Sequence, residues 1–230
     1  MASGSQIHAR SFGVADYDAY WAARKAAGTH RMTRLQRFLA DEVARIVPPG
    51  GAVLDCGVGP GNVYRLLAQS GRRMYGIEIS AEAVSLYDFD ASNIVMRDLN
   101  RGLGEFPVKF DAIIMAHVLH HLDDPAAFVK DALRSLAPGG CFVVAIPNIT
   151  YYAFRLAFMF GKFPPISLAH KNFQTPAEFE EMVRSVGLTI VRRASAKKTL
   201  RARLFPAVFS QDIVYVLKPA GQAADGAFPG

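Results

Sequence analysis

A carboxylate followed by three alternating glycines carries the most chemical information in this sequence of 230 residues. Asp55 precedes Gly57, Gly59 and Gly61 in the stretch LDCGVGPGN, which ends at Asn62, where a helix would open. Glycines have no side chain, so a ligand can approach the main chain closely. A carboxylate beside a helix start would repel a phosphate, and the arrangement therefore favours a ligand that carries a positive ammonium group.

The glycine spacing argues against a dinucleotide. Dinucleotide-binding loops follow the spacing G-x-G-x-x-G between a strand and a helix. Here Asn62 stands where the third glycine should be, and Gly61 comes one position early. A nicotinamide-dependent dehydrogenase is therefore disfavoured.

Two further carboxylates follow predicted strands. Glu78 ends the second strand, where a carboxylate accepts hydrogen bonds from ribose hydroxyls. Asp98 follows the third strand, placed to accept from an adenine amine beside the apolar Leu99. With Asp55 they predict a ligand that has an ammonium group, a ribose and an adenine. Plain alternatives are a strand-end cap for Asp55, a surface carboxylate for Glu78 and a turn former for Asp98.

Strands and helices alternate around these residues, which predicts a parallel sheet with helices on both faces. The predicted strands are 52–57, 73–80, 93–99, 110–118 and 141–148. The predicted helices are about 61–70, about 81–88, and 124 to about 137, the last stopped by Pro-Gly-Gly at 138–140.

The remaining elements lie on either side of this core. Apolar residues at helical spacing between 17 and 47 predict one or two helices before the sheet. A capping box predicts a helix from Thr175 to Gly187. The runs 188–195 and 212–218 predict a terminal antiparallel pair of strands. We expect one domain over 15–219, with flexible ends at 1–14 and 220–230.

Composition narrows the class of protein. Apolar runs are short and the start lacks a signal-peptide pattern, so we expect no transmembrane segment and a cytoplasmic location, which also suits cysteines placed in buried strands. The net charge of +6 is concentrated between 184 and 203, where no acidic residue occurs. That stretch is either a solvated face or an electrostatic footprint for an anionic partner. Its basic residues are Arg184, Arg192, Arg193, Lys197, Lys198, Arg201 and Arg203.

The sequence resembles the class I S-adenosylmethionine-dependent methyltransferases from about Ala52 to Lys218. The ordered motifs that carry the resemblance are VLDCGVGPGN, GIEIS, MRDL, FDAIIMAHVLHHLDDP, LAPGGCFVVAIPN and HKNFQTPAEFEEMVRSVGL. The chain looks especially like the methionine-biosynthesis-type branch and related small-molecule methyltransferases. The resemblance implies a Rossmann-like doubly wound α/β sheet of seven strands, in the order 3-2-1-4-5-7-6 with the last strand antiparallel.

The resemblance also implies a cofactor and its contacts. The cofactor would be S-adenosyl-L-methionine, which leaves as S-adenosyl-L-homocysteine. Asp55 and the glycines would hold its methionine end, Glu78 its ribose, and Asp98 its adenine. The full set of implied cofactor residues is Asp55, Gly57, Gly59, Gly61, Asn62, Glu78, Ile79, Asp98, Leu99, Ala116 and His117.

Histidines follow the fourth predicted strand, where family members place residues between cofactor and substrate. His117 and His121 are the candidate catalytic residues, since an imidazole near neutral pH can take a proton from a hydroxyl or amine. His120 stands where relatives often have an acidic residue. The alternative is that His120 is exposed and His121 only packs with a satisfied hydrogen bond. Methyl transfer to a well-aligned acceptor also does not strictly need a base. We expect no metal site.

An aromatic insertion after the fifth strand, over 149–172, predicts either a lid over the acceptor or a segment that packs on the N-terminal helices. Aromatic residues near the N-terminus would close the acceptor-binding pocket on the side opposite the insertion. The candidate substrate residues are Tyr17, Tyr20, Trp21, Tyr151, Tyr152, His170 and Asn172.

The leading hypothesis is a methyltransferase that acts on a hydroxyl or amine of a small molecule, such as a sugar or a lipid-linked intermediate. One alternative is a methyltransferase that modifies RNA or protein through the basic stretch 184–203, although no binding module accompanies that stretch and nucleic acid is not the expected partner. Another is a non-catalytic subunit that binds S-adenosylmethionine.

Overall fold

A computed structural model describes residues 16–164, 171–197 and 199–221. Within them, seven strands form one sheet in the order β3-β2-β1-β4-β5-β7-β6, which confirms the expected topology. The strands are β1 (Ala52–Cys56), β2 (Arg73–Glu78), β3 (Ile94–Met96), β4 (Phe110–Ala116), β5 (Leu136–Pro147), β6 (Leu188–Ala194) and β7 (Asp212–Pro219).

Six of the nine α-helices in the described residues begin where a short polar side chain caps a free main-chain N–H group. Thr33 with Gln36, and Thr175 with Glu178, form complete capping boxes, the second as predicted. The helices are α1 (Tyr17–Ala26), α2 (Arg34–Ile46), α3 (Asn62–Gln69), α4 (Ala81–Val84), α5 (Pro125–Ala132), α6 (Tyr152–Met159), α7 (Pro176–Ser185), α8 (Leu200–Leu204) and α9 (Pro206–Phe209). The six with such a cap are α1, α2, α4, α5, α7 and α8.

The first five strands run parallel, and β7 lies antiparallel between β5 and β6, so the predicted antiparallel pair is confirmed. Each face of the sheet carries its own apolar core. Phe128 and Phe179 pack on one face, and Leu39 and Leu67 pack on the other. Because β7 runs opposite to β5, its first residue, Asp212, lies at the edge where the parallel strands end.

Two predicted helices are too long. α4 stops at Val84, because the chain then turns to stack Tyr87 and Phe89 against each other and Phe89 against Tyr64. The helix predicted to reach Ala137 ends at Ala132, and β5 already begins at Leu136, which pairs with Phe110. The Pro-Gly-Gly sequence therefore lies in a strand, where a register shift accommodates it.

Other expectations were incomplete or lie outside the described residues. The short helices α8 and α9 were not predicted. Cys56 and Cys141 are buried and unpaired, as expected for strand cysteines. The predicted flexible ends, 1–14 and most of 220–230, are outside the residues that the structure describes. None of the helices in the described residues has the length and apolarity needed to cross a bilayer.

Candidate functional site

Asp55 is a buried carboxylate at the end of β1, with 2% of its surface exposed. Among the described residues, no hydrogen bond or ion pair to its side chain is found. Burial first, and then the nearby charge of Glu78, raise the pKa of Asp55 to about 8. A buried anion without a cation is unfavourable, so the site fits a ligand that brings an ammonium group to this carboxylate.

The three glycines adopt positive φ and lie under protein side chains. A β-carbon at Gly57 would be 2.6 Å from Val118, and one at Gly61 would be 2.4 Å from Phe89. At Gly59 a β-carbon would be 3.0 Å from the ring of Trp21. The absence of side chains is therefore required by the turn and by packing, in addition to any role toward a ligand.

Glu78 ties the end of β2 to the glycine loop. Its Oε2 accepts a hydrogen bond from the Gly59 N–H at 2.7 Å, and its Oε1 accepts from the N–H groups of Ile79 at 2.8 Å and Ser80 at 2.9 Å. Burial raises the pKa of Glu78, and these N–H groups oppose that rise. The side chain is thus buried as a loop anchor, not surface-exposed, while the side chain of Ile79 is exposed.

Asp98 and Asn62 also make contacts within the protein. The Asp98 Oδ1 accepts from the main-chain N–H of Asn100 at 2.9 Å and caps the short 3-10 turn that contains the buried Leu99. The Asn62 amide nitrogen donates to the carbonyl of His30 at 3.1 Å and to Gln36 at 3.2 Å. Asn62 therefore connects the glycine loop to the start of α2.

Helix α1 covers the glycine loop from outside. Asp18 accepts hydrogen bonds from the Ser80 hydroxyl at 2.5 Å and from the Glu82 N–H at 3.1 Å, which fixes α1 to α4. Trp21 then lies against Gly59, as given above. Burial, followed by the charges of Asp98, Glu78 and Asp123, raises the pKa of Tyr17. Tyr17 therefore lies among the carboxylates predicted to hold the cofactor, while Tyr20 is exposed.

His117 pairs with an aspartate that the sequence analysis missed. Its Nε2 lies 3.1 Å from the Asp212 Oδ1, although not with the alignment of a hydrogen bond. His117 follows β4 and Asp212 begins β7, so the pair spans the end of β5. Among the described residues, His117 is the one non-glycine with positive φ, at 59°. Such a conformation costs about 1–3 kcal/mol and is concentrated at functional sites.

The other two histidines lie beside this pair. The rings of His117 and His120 are 5.6 Å apart, and those of His120 and His121 are 4.3 Å apart. His120 is buried, and its carbonyl accepts hydrogen bonds from the main-chain N–H groups of Lys171 and Asn172. His121 packs edge-on against Tyr17 at 5.8 Å. The structure thus brings all three histidines to the carboxyl edge of β4.

The aromatic insertion contacts the segment before β7. The Tyr151 hydroxyl accepts from the Lys197 ammonium at 2.9 Å, which lowers the pKa of Tyr151, and Tyr152 packs against Phe209 at 5.6 Å. The Asn172 amide donates to the carbonyl of Leu122. The start of the insertion therefore packs against Lys197 and α9, and His170 lies outside the described residues.

Part of the basic stretch 184–203 is neutralised within the protein. Arg184 and Arg193 contact Glu180, a buried residue of α7, and Arg192 lies 3.3 Å from the buried Glu42 of α2. Ala116, which the resemblance assigned to the cofactor site and not to this stretch, is the last residue of β4 and directly precedes His117. Three basic residues of the stretch are therefore paired with buried carboxylates, while the Arg184 side chain remains 61% exposed.

Two residues of the candidate site, Asp18 and Asp212, were not predicted from the sequence. For Asp212 a signal existed, because the predicted sheet order places the start of an antiparallel strand beside the end of β5, one strand away from β4. For Asp18 no pattern in the sequence indicates that α1 folds back on α4.

Comparison with known proteins gives the family. The family model described as "Methyltransferase domain" matches residues 30–193. A ubiquinone biosynthesis O-methyltransferase from Xylella fastidiosa is 32% identical over 160 residues. That match covers 64% of this chain and 65% of the relative, so the similarity spans slightly less than two thirds of the relative's length.

Solved structures share the fold. The CcbJ methyltransferase from Streptomyces caelestis has a TM-score of 0.64 and 21% identity, covering 82% of this chain and 91% of that one. Magnesium protoporphyrin IX methyltransferase from Synechocystis, solved with bound SAH, also has a TM-score of 0.64, at 19% identity, covering 87% and 95%. The chain belongs to the methyltransferase domain family, in its S-adenosylmethionine-dependent class.

Proposed function

We propose that this protein transfers the methyl group of S-adenosylmethionine to a hydroxyl of a small molecule with substantial apolar or aromatic character. The observation that carries the proposal is Asp55, a buried carboxylate at the glycine loop with no cation among the described residues. An amino-acid ammonium satisfies that carboxylate, whereas a pyrophosphate would be repelled by it.

Other residues of the site fit the remaining parts of the cofactor. Glu78 accepts three hydrogen bonds from main-chain N–H groups and retains about one of its four lone-pair sites for a ribose hydroxyl. Asp98 has a second carboxylate oxygen available beside the apolar Leu99 for an adenine amine. When bound, S-adenosylmethionine supplies an electrophilic methyl group on a sulfonium.

We infer that His117 is the general base. The acceptor hydroxyl loses its proton as its oxygen becomes methylated, and the imidazole of His117 takes that proton. Asp212 then faces the positive imidazolium at Nε2. Because Nε2 is buried while 37% of the His117 side chain is exposed, the exposed part of the ring lies away from Asp212. Asp212 is accordingly a positioning residue for His117.

The choice of a hydroxyl acceptor has separate support. The relative from Xylella fastidiosa is named for O-methylation in ubiquinone biosynthesis. In this chain Tyr151 and Tyr152 open an insertion that is rich in aromatic residues, which suits an apolar acceptor.

Calorimetry tests the cofactor part of the proposal. S-adenosylmethionine and S-adenosylhomocysteine should bind with Kd on the order of micromolar and NAD should not bind. Asp55→Ala should abolish binding, and Asp41→Asn, on the exposed surface of α2, should not. Equal binding by the Asp55 variant would contradict the assignment.

Transfer of radiolabelled methyl groups tests the reaction. We expect incorporation into catechol and alkyl-substituted phenols, lowered about 10²-fold or more by His117→Gln while S-adenosylhomocysteine still binds. Cofactor binding with incorporation only into RNA or protein would replace this proposal with the alternative acceptor class.

A further inference from the structure

Most of the large apolar side chains that are exposed in the described residues lie on two neighbouring segments. We define the α6–α8 surface as these side chains together with the exposed basic residues among them. Its apolar members are Tyr152, Leu156, Phe158, Met159, Phe160, Phe163, Leu200, Leu204 and Phe205, and its basic members are Arg155, Lys162, Arg201 and Arg203.

The apolar residues follow helical spacing on the outward side. In α6, Tyr152, Leu156 and Met159 are separated by four and three positions, and Met159 is 78% exposed. Phe163 follows the helix and is also exposed. The opposite side of α6 is anchored by the buried Phe154. In α8, Leu200 and Leu204 point outward, while Ala202 is the buried residue. Each helix therefore turns apolar side chains to the outside.

The two segments are joined at the start of α6. Lys197 binds the Tyr151 hydroxyl, and Tyr152 packs against Phe209, as described above. In addition the Thr150 hydroxyl donates to the carbonyl of Ala207 at 3.2 Å. The start of α6 therefore lies beside Lys197 and α9, which flank α8 in the chain.

The charged residues of the α6–α8 surface are all basic. No Asp or Glu occurs between 149 and 177 or between 182 and 211. The basic side chains of Arg155, Lys162, Arg201 and Arg203 are exposed among the apolar ones. An apolar face with basic residues and no acidic ones is typical of helices that lie in the interface of an anionic membrane.

We propose that the α6–α8 surface docks the protein on anionic lipid bilayers. α6 has eight residues and is far too short to span a bilayer, so the helix lies in the headgroup region. A single-stranded nucleic acid would be held by stacking on aromatic rings. Here four of the nine apolar members are not aromatic and offer no stacking face, which favours lipid; these are Leu156, Met159, Leu200 and Leu204.

Docking through the α6–α8 surface would place the candidate catalytic residues close to the bilayer, an inference that rests on the proposed function. Asn148, at the base of the insertion, donates to the carbonyl of Ser210, and Asp212 lies two residues further on. The docked surface is thus next to the edge of the sheet that holds His117 and Asp212. An apolar acceptor dissolved in the bilayer would reach the site from this side.

Vesicle flotation of the full chain tests docking without any need for turnover. The protein should bind phosphatidylcholine vesicles that contain about 30 mol% phosphatidylglycerol at least tenfold more strongly than phosphatidylcholine alone, and less strongly as NaCl rises from about 0.1 M to about 0.5 M. Met159→Ser with Phe160→Ser should abolish binding. Arg201→Gln with Arg203→Gln should weaken it about fivefold for each residue removed.

Matched control variants test whether vesicle binding depends specifically on the α6–α8 surface. Val95→Ser on the exposed edge strand β3, and Arg37→Gln with Lys130→Gln, should leave vesicle binding unchanged. All variants should bind S-adenosylhomocysteine normally, which separates this proposal from the proposed function. The proposal is overturned if vesicles bind no protein, if the α6–α8 variants bind as well as the native chain, or if those variants instead dissociate a dimer or release RNA.

Discussion

The protonation state of one residue, Asp55, determines how ligand binding at the site depends on pH. With a pKa raised to about 8 by burial, the Asp55 carboxyl holds a proton at neutral pH in the free protein. A bound ammonium group stabilises the ionised form, so binding should release that proton. The buried carboxylate thus fits a cationic ligand and makes binding sensitive to pH.

Proton release can be measured directly. At about pH 6.5, calorimetric titration with S-adenosylhomocysteine in buffers of different ionisation enthalpy should show release of roughly one proton by the native chain, since Asp55 changes from protonated to ionised. Asp55→Asn should bind more weakly and release none. A native chain that binds with no proton release would show that Asp55 does not meet the ammonium group.

A second residue-scale prediction concerns Asp212. If Asp212 positions His117, imidazole ¹⁵N spectra of the native chain should show the proton on Nε2, facing the aspartate. Asp212→Asn should yield mixed tautomers, lower kcat about tenfold with little change in KM, and lose less activity on 4-nitrocatechol, which ionises more easily than catechol.

The control for this experiment is the conservative variant. Asp212→Glu should restore the tautomer in part, and S-adenosylhomocysteine should bind both variants as it binds the native chain. An unchanged tautomer in Asp212→Asn, or equal losses on the two catechols, would leave Asp212 with a structural role only.

At the scale of elements, we expect α1 to respond to a bound cofactor, because it lies against the glycine loop. Its Trp21 lies against Gly59, and Trp21 is the single tryptophan of the sequence. S-adenosylhomocysteine should therefore change the tryptophan emission of the native chain. Asp18→Ala removes the two hydrogen bonds that tie α1 to the start of α4, while the one from Lys25 to Ser85 remains. The substitution should speed cofactor dissociation, measured by stopped-flow fluorescence, about fivefold or more.

Asp16→Ala is the matched control for α1. It removes only the helix cap at the N–H of Ala19, away from α4, and should change dissociation much less. A tryptophan emission spectrum that does not change when S-adenosylhomocysteine is added would mean that α1 does not cover the bound ligand.

The elements were predicted well where local chemistry decides them. Capping boxes, glycines after strands and runs of β-branched residues fixed β1, β2, β4, β7 and α7 to within one or two residues. The α5 boundary was wrong because pairing of Leu136 with Phe110 overrides the usual effect of Pro-Gly-Gly. The docking of α1 on α4 depends on contacts distant in the sequence, and no local pattern records them.

For the molecule as a whole, the sheet order could be predicted only through the family resemblance, whereas the carboxylates at its carboxyl edge followed from the strands alone. Those carboxylates affect the stability of the entire chain. In the unfolded chain Asp55 ionises near pH 4, but in the fold its pKa is about 8. Between these values the folded state holds a proton that the unfolded state has lost, so the free energy of unfolding falls as pH rises.

A cofactor should counteract this loss, because its ammonium group stabilises ionised Asp55 only in the folded chain. Saturating S-adenosylhomocysteine should therefore raise the thermal unfolding midpoint of the native chain more at pH 8 than at pH 5.5. Asp55→Asn should be more stable than the native chain at pH 8 without ligand and show no such pH difference with it. Differential scanning calorimetry of both proteins at the two pH values decides the point. Equal midpoint shifts for the native chain at both values would mean that the buried carboxylate and the ligand are not linked.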